Sequence, residues 1–178
     1  MMPIDASHAL LKHAQELGHE ARAGRDAHAV LKLWLRMLAC TAQIEAEIRK
    51  RLREQFGMSL ARFDYMAQLY RYQDGLKMRA LSRYLMVTGG NVTGLTDELE
   101  REGLVLRADS PDDRRTFILR LTDKGRSSFE VMAKAHESWL LEMFDGIDAE
   151  SVQRLFTDLG VLRVRLVDNN ASASKGKS

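Results

Sequence analysis

The sequence has few of the residues that cross-link or interrupt a chain. It contains one cysteine, Cys40, so no intramolecular disulfide can form, and we expect a reducing compartment. It contains two prolines, and long stretches lack both proline and glycine, the residues that disfavour helix interiors. These scarcities predict a mainly α protein.

Long apolar runs are also missing. None approaches the ~18 residues that span a bilayer, and no basic stretch followed by an apolar block opens the chain. We therefore expect a cytoplasmic protein with no membrane partner. The net charge of +2 at pH 7 is too small to indicate a nucleic-acid partner, so the distribution of charge must decide.

Hydrophobic periodicity predicts helices in the first half of the chain. Residues 1–26 have a helix-compatible composition and form a predicted N-terminal helical extension. Residues 27–56 carry apolar side chains at helical spacing up to Gly57, which indicates a long dimerisation and linker helix. Ser59 is placed to cap a shorter helix that ends before Asp74 and Gly75.

The middle of the chain, residues 57–126, has the pattern of a winged helix-turn-helix domain. A short helix over 78–86, with Met86 on its apolar face, is followed by a tight turn. Thr88 then offers a hydroxyl cap to a second helix that ends at Gly103. Two β-rich segments, separated by a turn containing Pro111, predict a two-stranded wing.

Two further helices are predicted after the wing, capped by Thr122 and Asp148. Residues 127–167 are interpreted as C-terminal dimerisation helices, because their apolar stripes exceed what one small winged domain can bury. Residues 168–178 have almost no apolar content and are predicted to be disordered. The predicted fold is mainly α, a winged helix-turn-helix with long terminal dimerisation helices and a two-stranded β wing.

The second helix of the turn is predicted to read double-stranded DNA. A recognition helix needs one apolar face and one face of small or hydrogen-bonding residues that approach base edges. Its free amide groups and the positive end of its dipole also attract phosphate. The candidate contact residues are Thr88, Gly89, Gly90, Asn91, Thr93 and Gly94.

The charged tip of the hairpin is the second candidate contact. One arginine can be held by a carboxylate while another reaches a narrow minor groove. The residues proposed for this are Asp113, Arg114 and Arg115. Weaker candidates for phosphate contacts are Arg83, Arg107 and Arg120, since an isolated arginine is more often a solvated surface charge.

Residues 75–125 resemble the DNA-binding core of the MarR family of transcriptional regulators. The resemblance includes an Asp-x-Arg wing signature that ends in Leu-Thr-x-x-Gly, represented here by Asp113, Arg115, Leu121, Thr122 and Gly125. It extends over about residues 30–167. It implies an obligate homodimer whose first and last helices interlock, a palindromic operator and, in most members, repression.

The resemblance further implies a small effector, often an aromatic acid, bound between the dimerisation helices and the winged domain. An acyl-coenzyme A thioester is an alternative, since arginine pairs well with phosphates. The candidate pocket residues are Trp34, Arg36, Met37, Arg62, Phe63 and Met66. Each has a simpler interpretation as a core or surface residue.

Other classes of function are less well supported. A glycine-rich phosphate loop follows a strand and supplies a lysine, whereas residues 88–94 follow a helix and contain none, so we expect no enzyme and no cofactor. The five histidines show no close metal-ligand spacing, so we expect no metal. Redox sensing through Cys40 is disfavoured by apolar neighbours, which predict neither exposure nor nearby positive charge. A winged-helix scaffold that binds protein remains an alternative, because the fold alone does not establish DNA binding.

Overall fold

The computed structural model describes residues 29–86, 88–110 and 113–175, so the predicted extension over 1–26 lies outside the described residues. Of the described residues, those from Ala29 to Met143 form one compact unit, and α6 belongs to a second. The helices are α1 (Ala29–Phe56), α2 (Leu60–Arg71), α3 (Met78–Leu85), α4 (Gly89–Arg101), α5 (Asp123–Met143) and α6 (Ala149–Lys175). The strands are β1 (Leu76–Lys77), β2 (Val105–Ser110) and β3 (Asp113–Leu121).

The sheet has three antiparallel strands in the order β1-β3-β2, one more than predicted. β1 pairs Leu76 with Leu119, and both side chains are buried. Gly75 permits this approach: its φ is +86°, and a Cβ there would lie 2.4 Å from Cγ2 of Ile118. A two-residue strand is too short for periodicity to reveal, so the sequence could not predict it.

The core of the first unit is formed where the helices of the winged domain meet α1, α5 and the sheet. α2 contributes the largest share, because Phe63, Tyr65, Met66 and Leu69 are all buried. The core residues from the other segments are Ile48, Leu52, Met58, Leu76, Leu81, Val92, Leu99, Leu104, Val105, Leu119, Phe129, Met132 and Trp139. This packing fixes the position of α4.

Three of the four predicted helix caps are confirmed. The side-chain oxygens of Ser59, Thr122 and Asp148 each accept a hydrogen bond from the backbone N–H three residues further on, at 3.3, 2.9 and 2.8 Å. The hydroxyl cap at Thr88 is wrong: Thr88 is the N-cap residue of α4, but its side chain makes no capping hydrogen bond. The amides at the start of α4 therefore keep their hydrogen-bonding capacity.

α6 is longer than its apolar pattern indicates. It continues to Lys175, whereas the sequence predicted disorder from residue 168. Extending an existing helix adds one hydrogen bond per residue without a new nucleation cost, and residues 168–175 contain neither proline nor glycine. Among the described residues, no helix combines the length and the apolar character needed to cross a membrane.

Candidate nucleic-acid interface

α4 has one face fixed in the core and the opposite face open. Val92, Thr96 and Leu99 are fully buried, and Leu95 packs partly against the core. The remaining predicted contact residues all lie exposed at the start of the helix: Thr88, Gly89, Gly90, Asn91, Thr93 and Gly94. The structure therefore brings these six residues together on one accessible surface.

This surface, residues 88–94 of the chain, is open at the level of the backbone. A Cβ built on Gly89, Gly90 or Gly94 would meet no heavy atom within 4 Å. The first turn of α4 carries no acidic residue, so nothing there opposes the positive end of the helix dipole. Such a surface admits a phosphate or a base edge close to the main chain.

Thr93 has a more limited chemistry than its residue type suggests. Its hydroxyl donates to the carbonyl oxygen of Gly89 at 3.1 Å, so its hydrogen is used within the helix. The oxygen lone pairs and the methyl group remain for an outside partner. Thr93 therefore presents a methyl group and hydroxyl lone pairs to the open surface, which suits a thymine methyl group or a donor.

A buried hydrogen-bond chain ties the middle of α4 to α2. The Thr96 hydroxyl donates to the carbonyl oxygen of Val92 at 2.7 Å, so the Tyr65 hydroxyl is the donor in the 2.6 Å contact between Tyr65 Oη and Thr96 Oγ1. Burial raises the pKa of Tyr65 to about 12. In the sequence, Thr96 is only one position of a predicted helix. Its hydrogen-bond partner Tyr65 lies 31 residues away, so the local pattern could not reveal the bond.

Arg107 on β2 is tied to α4 rather than free for a phosphate. Its Nη2 group binds the carboxylate of Asp97, and its Nη1 group binds the carboxylate of Glu100. The pairing with Asp97 raises the pKa of the guanidinium group further. Arg120 also has a partner in the chain, since its Nε donates to the carbonyl oxygen of Asp74 at 3.0 Å. The predicted phosphate contact by Arg107 is therefore wrong, because its guanidinium group already binds two carboxylates of the same domain.

The turn before α4 exposes side chains next to the open surface. Arg83 is exposed in the last turn of α3, as a phosphate contact requires. Met86 has a left-handed φ of 54° and is 91% exposed, so its predicted place on the apolar face is wrong. Nearby, the rings of Tyr72 and Tyr84 stack with centroids 5.2 Å apart.

The wing is present, with its tip between β2 and β3. The register places Ser110 opposite Asp113 and includes an irregularity at Asp109 and Ser110, the point where the hairpin closes. The backbone of Asp113, Arg114 and Arg115 therefore begins the outgoing strand. Their side chains lie outside the described part of the structure, so their contacts stay a prediction.

The predicted effector pocket is not assembled within the described unit. Phe63 and Met66 are buried in the core, where the Phe63 ring lies 5.3 Å from Phe129 and 5.2 Å from His136. Arg62 pairs with Glu102, while Trp34 is 54% exposed on α1. Arg36 and Met37 on α1 are half-buried. Helical spacing cannot distinguish an aromatic residue in the core from one that lines a pocket, and here the core interpretation holds for Phe63 and Met66.

A different cavity, of about 710 Å³, lies where the end of α4 meets α1 and α5. None of the six predicted pocket residues lines it. Its lining is Phe56, Met58, Arg101, Glu102, Leu104, Lys124, Ser128, Val131 and Met132. Its residues come from three helices and the loops between them, so no local pattern in the sequence could have identified it.

Cys40 is exposed on α1, contrary to the prediction from its apolar neighbours. Adjacent residues in a helix point in different directions, so an apolar sequence context does not imply burial. A lone exposed thiol does not support a functional assignment.

Fold and surface together define a class of protein. A core-anchored helix with an exposed, uncharged first half, preceded by a short helix and followed by a β wing, is the arrangement of a winged helix-turn-helix DNA-binding protein.

Comparison with known proteins identifies the family. The model of the MarR family matches residues 58–117. An uncharacterized HTH-type transcriptional regulator of Bacillus subtilis, YdgJ, is 32% identical over 117 residues, which cover 66% of this chain and 70% of YdgJ. The crystal structure of a MarR family transcriptional regulator from Silicibacter pomeroyi is 34% identical, with a TM-score of 0.64, covering 76% of this chain and 94% of that one.

The chain belongs to the MarR family and is a DNA-binding transcriptional regulator, not an enzyme. The Staphylococcus aureus MepR–DNA complex shares the fold at 22% identity, with a TM-score of 0.63, covering 72% of this chain and 94% of that one. The fold class and family predicted from the sequence are confirmed.

Proposed function

We propose that this regulator is a homodimeric repressor that binds a palindromic operator and releases it when a small aromatic acid or its coenzyme A thioester binds. The observation that carries the DNA-binding part is the open surface at residues 88–94. There Asn91 can pair with an adenine edge, while the glycine backbone approaches a phosphate.

Exposed apolar side chains support the dimer. α1 carries five of them in its first ten residues, and the Trp34 side chain is 54% exposed. The α1 residues are Val30, Leu31, Leu33, Trp34 and Leu38. A contiguous apolar surface of this kind marks an interaction site, and most oligomers of identical chains satisfy it with two-fold symmetry.

The second unit independently supports the same conclusion. α6 exposes apolar side chains at positions that recur along one helix, beginning with Val152, Leu155, Phe156 and Leu159. A two-fold dimer presents two recognition helices in opposite directions. A palindromic operator with half-sites about one helical turn apart matches that symmetry.

The 710 Å³ cavity supports an anionic effector. It combines the cations Arg101 and Lys124 with an apolar lining that includes Phe56, Val131 and Met132, and the carboxylate in the lining, Glu102, pairs with Arg62. An aromatic acid needs these two features, a cation for its carboxylate and an apolar surface for its ring. Because Arg101 is the last residue of α4, a ligand bound in this cavity would contact the end of the recognition helix directly.

The effector acts only through a difference in affinity. A ligand that binds the DNA-incompetent arrangement better shifts the equilibrium toward that arrangement by this difference and no more. A ligand that binds both arrangements equally leaves operator occupancy unchanged.

A mobility-shift assay with the full chain and DNA from its own upstream region tests the proposal. We expect a sequence-specific shift that one member of a panel of aromatic acids and their coenzyme A thioesters releases. A confirmed dimer that gives no such shift contradicts an operator in this upstream DNA, and a specific shift that no panel member releases contradicts the effector class.

The salt dependence of binding separates a DNA-binding wing from a protein-binding scaffold. Arg115→Ala should weaken DNA binding and lower the slope of log affinity against log salt by about 1, because one cation that displaces counterions from the DNA is lost. Arg154→Ala is the matched control, since this exposed arginine on α6 pairs with Glu150 and Ser151 on its own helix. Equal slopes for both variants would contradict a DNA contact by Arg115.

Activation is a second candidate, favoured by one relative. BadR of Rhodopseudomonas palustris, named a transcriptional activatory protein, is 30% identical over 105 residues, 58% of this chain and 59% of BadR. A reporter gene placed behind the bound promoter distinguishes repression from activation. Deleting the regulator raises expression if it represses and lowers expression if it activates.

A further inference from the structure

The outer face of α4 changes character along its length. Residues 88–94 are uncharged, but the second half of the helix carries three carboxylates, Asp97, Glu98 and Glu100, against one cation, Arg101. Carboxylates beside DNA repel phosphates, so a recognition helix with three of them requires an explanation. The contacts of Arg107 provide one.

Arg107 links the wing to this acidic half. It lies on β2 opposite Leu119 of β3, so the pairing of the two strands fixes its backbone. Its guanidinium group binds Asp97 with one nitrogen and Glu100 with another. The Arg107 side chain is 25% exposed, less than the 49% and 38% of its two partners.

The geometry of the link constrains how α4 can move. Asp97 and Glu100 are three residues apart, so they lie on neighbouring turns of one helix face. A guanidinium group is planar and binds two oxygens in fixed directions. Rotating α4 about its axis, or sliding it along β2, therefore breaks at least one of the two contacts.

We propose that Arg107 is a positioning residue that locks the wing to the recognition helix, so that both approach the DNA as one rigid unit. A fixed spacing between helix and wing reduces the conformational freedom lost when both contact the same site. Losing the link lowers affinity for a specific site, which needs both contacts in register. It leaves affinity for random DNA nearly unchanged, because that depends on phosphate neutralisation.

Charge neutralisation is the competing explanation, and it predicts a different result. In that case Arg107 only offsets the carboxylates of Asp97 and Glu100. One cation against two carboxylates leaves one net negative charge, so replacing all three residues with neutral ones makes the surface less repulsive. Neutralisation therefore predicts that the triple variant binds every DNA at least as well as the unmodified protein.

The experiment compares R107Q with the triple variant D97N/E100Q/R107Q in the full-length protein. The probes are a duplex selected by the unmodified protein from a random-sequence library and a random duplex of equal length. We expect both variants to bind the selected duplex about tenfold or more weakly, from the about 1.5–3 kcal/mol of a charged hydrogen bond. The triple variant should bind the random duplex within about twofold of the unmodified protein or more tightly, since it carries less negative charge.

A triple variant that matches the unmodified protein on the selected duplex overturns the proposal and supports neutralisation. E98Q is the matched control: it removes a carboxylate from the same exposed helix without touching Arg107, so we expect no loss of specificity. R107K keeps the charge but lacks the two-pronged geometry, so it should lose affinity for the selected duplex despite equal charge. Retention of full affinity by R107K contradicts a positioning role.

A distance measurement tests the link without DNA. Nitroxide labels at Glu98 on α4 and Phe117 on β3, both exposed, are placed in a C40S background. We expect the distance distribution between the labels to broaden in the triple variant at unchanged helix content, and an unchanged width overturns the proposal.

The proposal rests on DNA binding and not on repression or an effector, and the selected duplex does not require a known operator. If the repressor role or the effector class proves wrong, the binding and distance measurements on the Arg107 variants still test the link.

Discussion

The two halves of α4 differ in how they are held. In the first half, Gly89, Gly90 and Gly94 have no neighbour within 4 Å of a built Cβ, and the outward side chains are uncharged. In the second half, Leu99 is buried and Arg107 binds the acidic side chains from the wing. Both halves bury side chains in the core, Val92 in the first and Leu99 in the second, but only the second half is also bound by the wing, and the first half presents the open surface.

The glycines of the domain show the same contrast. A Cβ on Gly125, at the start of α5, would lie 1.9 Å from the carbonyl oxygen of Leu104, just after the anchored end of α4. A Cβ on Gly94 would meet nothing. Glycine at Gly125 is thus required by packing, whereas at Gly94 it leaves space that a ligand can occupy. Four predictions test this contrast, in order of decreasing expected effect.

The largest expected effect is from Gly125→Ala. The added methyl group collides with backbone that cannot move freely, so we expect a loss of stability of about 3 kcal/mol or more, the upper part of the range for overpacking. Urea unfolding of Gly125→Ala and Gly94→Ala measures the difference. Equal stability of the two variants would contradict the tight contact at the start of α5.

The second prediction concerns base reading on the open half. Asn91→Ala should cost about 1–3 kcal/mol of affinity for the selected duplex, the usual value for a two-bond base contact, with little loss on random DNA. Binding titrations on both duplexes test this. Equal losses on the two would show that Asn91 contacts phosphate rather than a base.

The third prediction concerns the buried link between Tyr65 and Thr96. Tyr65→Phe should cost about 1 kcal/mol of stability, the net value of one hydrogen bond, because Thr96 still donates to Val92. Denaturant unfolding near pH 8 measures this cost. Operator affinity measured at the same pH should fall only if α4 shifts when the link is removed.

The same variant has a defined pH dependence. The pKa of Tyr65 is raised to about 12 in the fold, against about 10 in the unfolded chain, because burial favours the neutral phenol. The associated stability is complete below pH 10 and is lost as the pH rises toward 12. The stability gap between the unmodified protein and Tyr65→Phe should therefore narrow from pH 8 to pH 11, and a constant gap would contradict the shifted pKa.

The smallest effect is expected from Gly94→Ala. Alanine favours a helix interior by about 0.5–1 kcal/mol over glycine, so the free protein should become slightly more stable. DNA binding should weaken at the same time, because the methyl group occupies the space through which the backbone approaches DNA. A thermal melt tests the gain in stability, and a binding titration on the same preparation tests the loss of DNA affinity.

Most helices and their ends could be predicted from the sequence, because they depend on interactions between residues close together in the chain. Apolar side chains at helical spacing mark the face that must be buried, as for Val92 and Leu99 on α4. Capping needs only a suitable side chain three residues before an open amide, which is why Ser59, Thr122 and Asp148 were identified correctly. Gly103, with a φ of +69°, ends the recognition segment as expected for a C′ glycine.

The sequence was less informative wherever two alternatives have the same local pattern. Phe63 and Met66 were predicted to line a pocket but are core residues, and Cys40 was expected to be covered but is exposed. An apolar stripe specifies that a face is buried, not whether it meets another helix, a ligand or a second chain. Thr88 shows a related limit, since a suitable residue at an N-cap need not form the bond.

The order of the helices, the wing and the identity of the open surface were thus encoded in contacts within a few residues of one another. The third strand, the Tyr65–Thr96 hydrogen bond and the attachment of Arg107 to α4 depend on residues brought together from separate segments. Which partner a polar or charged side chain finds is set by the packing of the whole domain. For that reason Arg107 has the sequence context of a phosphate contact and the tertiary contacts of a link between wing and helix.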